Sequence, residues 1–226
     1  MSKMLASVNG LDEALFIQHY PVDIIDLKQP SQGALGALAV EDVRHIVAKL
    51  VGDTLISATI GDLPMQPDVV FSATQAMAST GVDYVKIGFF PGGDWKGCID
   101  RLAGLVGQGI ALIAVLFADN QPDFLIIQDL KKAGFKGVML DTMDKSLGSL
   151  TQLMSLAELT EFVRQAQAAE LLTGLAGSLS QADIAGLKPL QADYLGFRGA
   201  LCQHHCRTAQ LDAASITEIG RLLRFN

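Results

Sequence analysis

Apolar residues along this chain follow two rhythms that take turns. Short runs rich in Val, Ile, Leu and Ala recur at Met4–Val8, Asp23–Lys28, Leu55–Gly61, Tyr84–Phe90, Ala111–Phe117, Gly137–Thr142, Leu172–Ser178 and Tyr194–Ala200. Their length and continuity predict strands buried on both faces. Between them the apolar positions fall at helical spacing. Val43, Ile46, Val47 and Leu50 share one face of Val40–Leu50, and Ile99, Leu102, Leu105 and Val106 share one face of Trp95–Val106. Leu156–Ala168 and Ala214–Leu223 read as two further helices, and Pro67-Asp68 opens another ahead of Tyr84. Gly81, Gly109 and Gly134 stand where helices should end. Strict alternation of strand and helix predicts a parallel sheet with helices outside it. Eight repeats of roughly 20–35 residues suit a closed α/β barrel, the (β/α)8 or TIM type, better than an open sheet. No G-x-G-x-x-G follows the first strand, which argues against a dinucleotide fold. With no linker or composition shift, residues 1–226 are expected to form a single domain.

Composition narrows the class of function. Half of the 226 residues are hydrophobic and 18% are charged, enough for a large core. The net charge of −7 and the lack of any Lys/Arg-rich run predict no nucleic-acid partner. The three cysteines, Cys98, Cys202 and Cys206, fit a reducing compartment. The longest apolar stretch, Leu105–Phe117, is broken by Gly107, Gln108 and Gly109. It falls short of the roughly 20 residues that span a bilayer. The first residues carry no evident signal peptide. A cytoplasmic protein with no membrane association is the expectation. Apolar faces at Phe71–Met77 and Leu150–Leu159 leave room for an interface, and a homo-oligomer is expected.

Parity then locates the chemistry. Side chains of a strand alternate between its two faces. Within DIIDLK, Ile25 and Leu27 would face the helices while Asp26 and Lys28 face the barrel interior. Within YVKIG, Tyr84, Lys86 and Gly88 face inward, and within GVMLDT so do Met139 and Asp141. Three strands thus send Asp26, Lys28, Lys86 and Asp141 toward one mouth, the face where such barrels place their active sites. Lys145 lies four residues past Asp141, and a helical turn there would put both on one side. Lysines at the ends of buried strands need a partner or a task. Burial and mutual repulsion would lower the pKa of Lys28 or Lys86 and free an amine for imine chemistry. Asp26 or Asp141 would pair with whichever amine stays charged and move protons. The competing explanation for any one of these lysines is a structural ion pair.

The last two strands end in GLAGS and GFRGA. Small residues there let backbone N–H groups approach a phosphate, so Gly177, Ser178, Gly199 and Ala200 are candidate phosphate ligands, with Arg198 as an inward guanidinium. Relief of crowding at the rim would explain the glycines equally simply. Gly61 and Asp62 would line the same mouth. Cys202-Gln203-His204-His205-Cys206 has no second ligand pair at zinc spacing and reads as a polar loop, so no metal is expected. His19 and His45 are expected at the surface and Trp95 in packing.

The strings DIIDLKQPSQGALGA, LISATIGDLP, DYVKIGF, VMLDT, LAGSL and GFRGA occur in this order. With them the chain, from about Met4 to Leu223, resembles the (5-formylfuran-3-yl)methyl phosphate synthase family, also called 4-(hydroxymethyl)-2-furancarboxaldehyde-phosphate synthases. The resemblance implies a class I aldolase-like TIM barrel that condenses two glyceraldehyde 3-phosphate molecules into a furan aldehyde phosphate, a step toward methanofuran-type one-carbon carriers. It implies Lys28 as the Schiff-base lysine, with Lys86, Asp141 and Lys145 as the other catalytic residues, and it implies no cofactor. Departures are Gln29 where the family often has Asn, shorter segments after Phe117 and after Asp141, and Cys-Gln-His-His-Cys in place of a Gly-rich loop. Two other functions share the barrel: another lysine-dependent aldolase acting on triose phosphates, and a non-catalytic barrel that binds a phosphate ligand.

Overall fold

The structure, a computed structural model, describes residues 2–224. Its strands are β1 (Lys3–Val8), β2 (Ile24–Leu27), β3 (Leu55–Thr59), β4 (Tyr84–Gly88), β5 (Leu112–Phe117), β6 (Gly137–Asp141), β7 (Leu172–Leu175) and β8 (Tyr194–Phe197). They pair in parallel in sequence order, and β8 closes on β1 to make an eight-stranded barrel. The helices are α1 (Leu11–Ile17), α2 (Val40–Lys49), α3 (Pro67–Ala78), α4 (Trp95–Val106), α5 (Ile126–Lys132), α6 (Leu150–Leu153), α7 (Leu156–Ala168), α8 (Gln181–Leu187) and α9 (Ala213–Arg224). The (β/α)8 barrel predicted from the alternation is the fold of this chain.

Outward strand residues such as Ile25, Leu27, Val85, Ile87, Val138 and Leu140 are buried against helix residues such as Val43, Ile46, Leu102 and Phe162. Each fully buried aliphatic side chain contributes about 1.5–3 kcal/mol. Inside the barrel, Leu5, Ile24 and Tyr194 pack with Leu55, Tyr84 and Leu172 into an apolar floor. The polar residues of β2, β4 and β6 therefore sit above an apolar base and below an open mouth.

Local chemistry sets the element ends. Pro67 starts α3 and the Asp94 carboxylate accepts the Gly97 N–H at 2.7 Å to start α4. Ser149, Ser155 and Ser180 open α6, α7 and α8 with capping boxes. Gly81, Gly109 and Gly134 take φ of 90°, 89° and 80°, the left-handed turn that ends a helix cheaply only at glycine. At the floor, a carboxylate just ahead of an even-numbered strand accepts an N–H from the odd-numbered strand before it. Asp83 takes Ile56 N and Asp193 takes Thr173 N, both at 2.7 Å. Asp23 does the same for Met4 N at 2.8 Å, the odd strand here also lying earlier in the chain. These bonds satisfy donors at the start of the strands.

Two expectations on extent need correction. The apolar runs overshoot the strands: Gly61, Phe90, Ser178 and Ala200 lie beyond the last paired residues. Past these ends the chain turns into loops, while residues such as Phe90 stay apolar because they pack there, its ring 4.6 Å from Phe117. The helices α1, α5, α6 and α8 run only four to seven residues, too few for a helical period to show in the sequence. Of the apolar faces expected to offer an interface, Met77, Leu150 and Leu159 point into the barrel shell, Phe71 is half-buried and Leu156 is left exposed. Among the described residues no helix is long and apolar enough to cross a membrane.

Candidate active site

The inward parity of β2 and β4 brings Asp26 and Lys86 together at the heart of the barrel. Asp26 is fully buried and accepts from Lys86 Nζ at 2.8 Å, Ser57 Oγ at 2.6 Å and Ser7 Oγ at 3.0 Å. Burial pushes its pKa up, but the Lys86 and Lys28 charges and the hydrogen bonds outweigh it, so the carboxyl titrates below its usual range. Ser7 and Ser57 were not singled out in the sequence. Their inward places opposite Asp26 on the neighbouring strands, Ser7 paired with Asp26 and Asp26 with Ser57, are the signal that would have found them.

Asp141 and Lys145 form a second pair, Nζ to Oδ1 at 2.6 Å, and Lys145 also donates to Thr142 O and Thr142 Oγ1. The expected helical turn is absent. The pair is closed by an irregular loop that Asp119 holds, accepting Met143 N at 2.8 Å and Asp144 N at 2.7 Å. Burial pushes the Asp141 carboxyl up, yet the Lys145 and Lys28 charges, with hydrogen bonds from Lys145 and Thr142 N, bring it down to about 2. Asp141 is therefore a carboxylate at any neutral pH.

Lys28 differs from both. It is 7% exposed, lines a cavity of about 300 Å³ at the mouth, and its amine hydrogen-bonds to none of the described residues. Burial lowers its pKa from 10.5 to about 8. Asp141 and Asp26 resist that shift, while Lys86 and Lys145 add to it. Of the two causes expected from the sequence, burial comes first for Lys28 and repulsion from Lys86 adds to it, while Lys86 is paired with Asp26. The neutral fraction of Lys28 at pH 7 should then exceed that of an ordinary lysine by about 300-fold. Trace acetylation followed by peptide mass spectrometry should give Lys28 a midpoint near pH 8, well below the ordinary 10.5 of a free lysine. A Lys28 midpoint at 10 or above would contradict this environment.

The glycine-ended strands reach the same cavity, which Gly177, Ser178, Gly199 and Ala200 all line. Their N–H groups donate to no acceptor among the described residues. Gly177 has φ 110°, and a Cβ there would sit 2.8 Å from Thr142 Cγ2 and 3.0 Å from Thr142 N. Only glycine lets this turn close against the end of β6, beside Asp141.

Arg198 requires correction. It also lines the cavity, but its guanidinium is consumed in structure. Nε donates to Arg207 O at 2.7 Å, Nη1 to Ser7 O and Glu13, and Nη2 to Glu13 and Ala209 O. All five N–H donors of an arginine are thereby engaged. Arg198 ties β1 and α1 to the β8–α9 loop and leaves no donor for a ligand. That loop instead presents Arg207, which was not singled out in the sequence, and His205, which was read only as part of a polar loop, to the cavity. Asp62, expected to line the mouth, accepts Ala34 N at 2.9 Å and Leu35 N at 2.8 Å and so pins the loop that follows Lys28.

Cys202 is buried and donates to Arg198 O, whereas Cys206 is exposed. Among the described residues no group of three or more His, Cys, Asp or Glu is placed to hold a metal ion. His19 and His45 are exposed, and the Trp95 indole donates to Phe90 O at 2.6 Å and packs edge-on to Phe89.

Comparison with known proteins bears on this site. Residues 4–220 match a family model described as 4-HFC-P synthase. A Methanobrevibacter smithii protein named (5-formylfuran-3-yl)methyl phosphate synthase is 30% identical over 97% of this chain and 98% of its own. A Methylorubrum extorquens protein that carries the same name provisionally is 40% identical over 98% of this chain and 92% of its own. Among solved structures, 3-hexulose-6-phosphate synthase from Salmonella typhimurium superposes with a TM-score of 0.67 at 18% identity, covering 98% of both chains. Phosphoribosyl anthranilate isomerase from Thermus thermophilus does so at 0.68 and 14%, covering 99% of this chain and 98% of the other. At these identities the solved structures speak to the barrel alone.

Proposed function

The chain belongs to the 4-HFC-P synthase family, and from that premise we propose that it condenses two molecules of glyceraldehyde 3-phosphate into (5-formylfuran-3-yl)methyl phosphate through an imine on Lys28. The observation that carries this reading is the state of Lys28. It is the lysine of the mouth with no hydrogen-bonded partner among the described residues, it faces the cavity, and its pKa lies near 8. A neutral, half-desolvated amine is what attack on a carbonyl requires.

The steps follow from the pairs around it. Lys28 adds to the carbonyl of one triose phosphate after its isomerisation to the ketone, dihydroxyacetone phosphate, and water leaves as the imine forms. The iminium makes the neighbouring C–H acidic, and loss of that proton gives an enamine that bonds to the carbonyl carbon of the second triose. Asp141, ionised throughout, holds the Lys145 ammonium beside the cavity, and one N–H turned from Thr142 to the substrate would make it the proton donor. Lys86 with Asp26 lies beneath and holds a fixed charge near the imine nitrogen. Elimination of one orthophosphate and two molecules of water, with ring closure by a hydroxyl oxygen, balances two trioses against one furan. No electron acceptor is needed, since no net oxidation occurs. The retained phosphate would rest on the N–H groups around Gly177, Ser178, Gly199 and Ala200. Such a product would supply methanofuran-type carriers.

Purified protein incubated with glyceraldehyde 3-phosphate alone should yield the furan aldehyde phosphate by mass spectrometry. An aldol adduct or a ketone isomer without furan would point to another lysine-dependent aldolase. No turnover at all would favour a phosphate-binding barrel.

A further inference from the structure

Five cations line the mouth cavity, and three of them are neutralised: Lys86 by Asp26, Lys145 by Asp141 and Arg198 by Glu13. The two that keep no carboxylate partner among the described residues are Lys28 and Arg207. An amine can be left unpaired in order to react. A guanidinium stays charged at any working pH and is a poor nucleophile, so an unpaired one facing a cavity has an anion as its natural occupant.

Arg207 is also held in place. One of its N–H groups donates to Gly33 O at 3.0 Å, across the mouth on the loop that follows Lys28, and its other donors meet no acceptor among the described residues. Both anchors are fixed. Asp62 pins the loop at Ala34 and Leu35, and Arg198 grips the backbone at Arg207 O and Ala209 O. The guanidinium thus spans the mouth with an open edge that suits two oxygens of a phosphate.

The reaction proposed above brings in two phosphates and keeps one. A phosphate that stays needs only to be positioned, which neutral N–H groups do. A phosphate that leaves gains negative charge as its C–O bond breaks, and a fixed cation answers that charge in the transition state. Building on that reading, we propose that Arg207 binds the phosphate that is expelled. In the step it serves, the electrons of the Lys28 enamine shift to form a new carbon–carbon double bond and an iminium. The C–O bond breaks with its electron pair on the phosphate oxygen, and the Lys145 ammonium gives that oxygen a proton. The proton released when the enamine formed passes to water, and water returns one to Lys145. Arg207 exchanges no proton.

The test uses inorganic phosphate as probe, with wild type, R207M and R207Q compared by calorimetry, thermal melting and turnover. Wild type should take up two orthophosphates per chain and both variants one. Furan formation should drop by about 10²–10³-fold in both. Trapping of Lys28 by borohydride with dihydroxyacetone phosphate should stay at the wild-type extent. Glutamine can still donate to Gly33 O, so a merely architectural Arg207 predicts that R207Q behaves as wild type, and that result overturns the proposal. So does a single orthophosphate on wild type, or two on both variants. If wild type makes no furan but orthophosphate uptake still falls from two to one, the anion site on Arg207 stands and its assignment to a leaving phosphate falls with the reaction. If furan forms and R207Q leaves its rate unchanged, the reaction stands and Arg207 has no part in it.

Discussion

Lys28→Met should lose activity and gain stability. Furan formation should fall by about 10⁴-fold or more, because the covalent intermediate has nowhere else to form. The neighbouring lysines are no substitute: Lys86 is held by Asp26 and Lys145 by Asp141 and Thr142. The stability gain has a separate origin. Lys28 is buried and has no ion-pair partner among the described residues, and the gap between its pKa of about 8 and the ordinary 10.5 corresponds to roughly 3 kcal/mol against the charged form. Methionine matches the length of the stem and carries no charge, so it should recover about 1–3 kcal/mol of that below pH 8.

The sign of the pH dependence follows from linkage. Below about pH 8 the folded and unfolded chains both hold the Lys28 proton, and wild type bears the full penalty. Between about 8 and 10.5 the unfolded chain is protonated at this site and the folded chain is not, so wild type gains stability as pH rises. Lys28→Met lacks that gain. The difference in unfolding free energy between the two, from urea titrations at pH 7 and pH 10, should therefore shrink toward zero at the higher pH. A variant less stable than wild type at pH 7, or a difference that does not move with pH, would mean that Lys28 is ordinarily solvated or structurally paired. That outcome would remove the case for it as the nucleophile.

What the sequence makes legible here is what local geometry decides. Strand parity depends only on the backbone, so Asp26, Lys28, Lys86 and Asp141 could be sent inward from three short strings, and each lies where parity puts it. The partners are a different matter. Lys86 joins Asp26 from 60 residues away, and Glu13 reaches Arg198 from 185 residues away. No periodicity encodes such distances. The exchange of roles between Arg198 and Arg207 shows the same limit. Arg198 follows the last strand, and its inward placement is legible. Whether its donors are spent depends on where α1 and the β8–α9 loop pass. Arg207 belongs to that loop, and its place over the mouth is set by a bond to Gly33, far off in sequence. The loop after Asp141 was legible as a Lys145–Asp141 pair but not as a loop, because the carboxylate that shapes it, Asp119, lies on the preceding β5–α5 connection.

Lys86→Met should destabilise the fold by about 3–5 kcal/mol, the usual cost of stranding one member of a buried ion pair. Asp26 has no exposed surface and would be left with two serine hydroxyls and the more distant Lys28. Removing the second charge should return much of the loss. In Lys86→Met/Asp26→Asn, the amide can still accept from Ser7 and Ser57, so the two changes should couple by about 1–3 kcal/mol in a double-mutant cycle read from urea unfolding. The same cycle tests what the pair does for Lys28. Lys86 repels the Lys28 ammonium and Asp26 attracts it. Lys86→Met should therefore raise the Lys28 midpoint above 8 and lower its reactivity at pH 7. Asp26→Asn should move the midpoint below 8, and the double variant should bring it back near its starting value. Opposite shifts in the two single variants would mean that a pair placed beneath the nucleophile, and not burial alone, sets its charge. A Lys28 midpoint indifferent to all three, with a stability loss under about 1 kcal/mol for Lys86→Met, would leave the Asp26–Lys86 pair as filling in the barrel with no bearing on the amine above it.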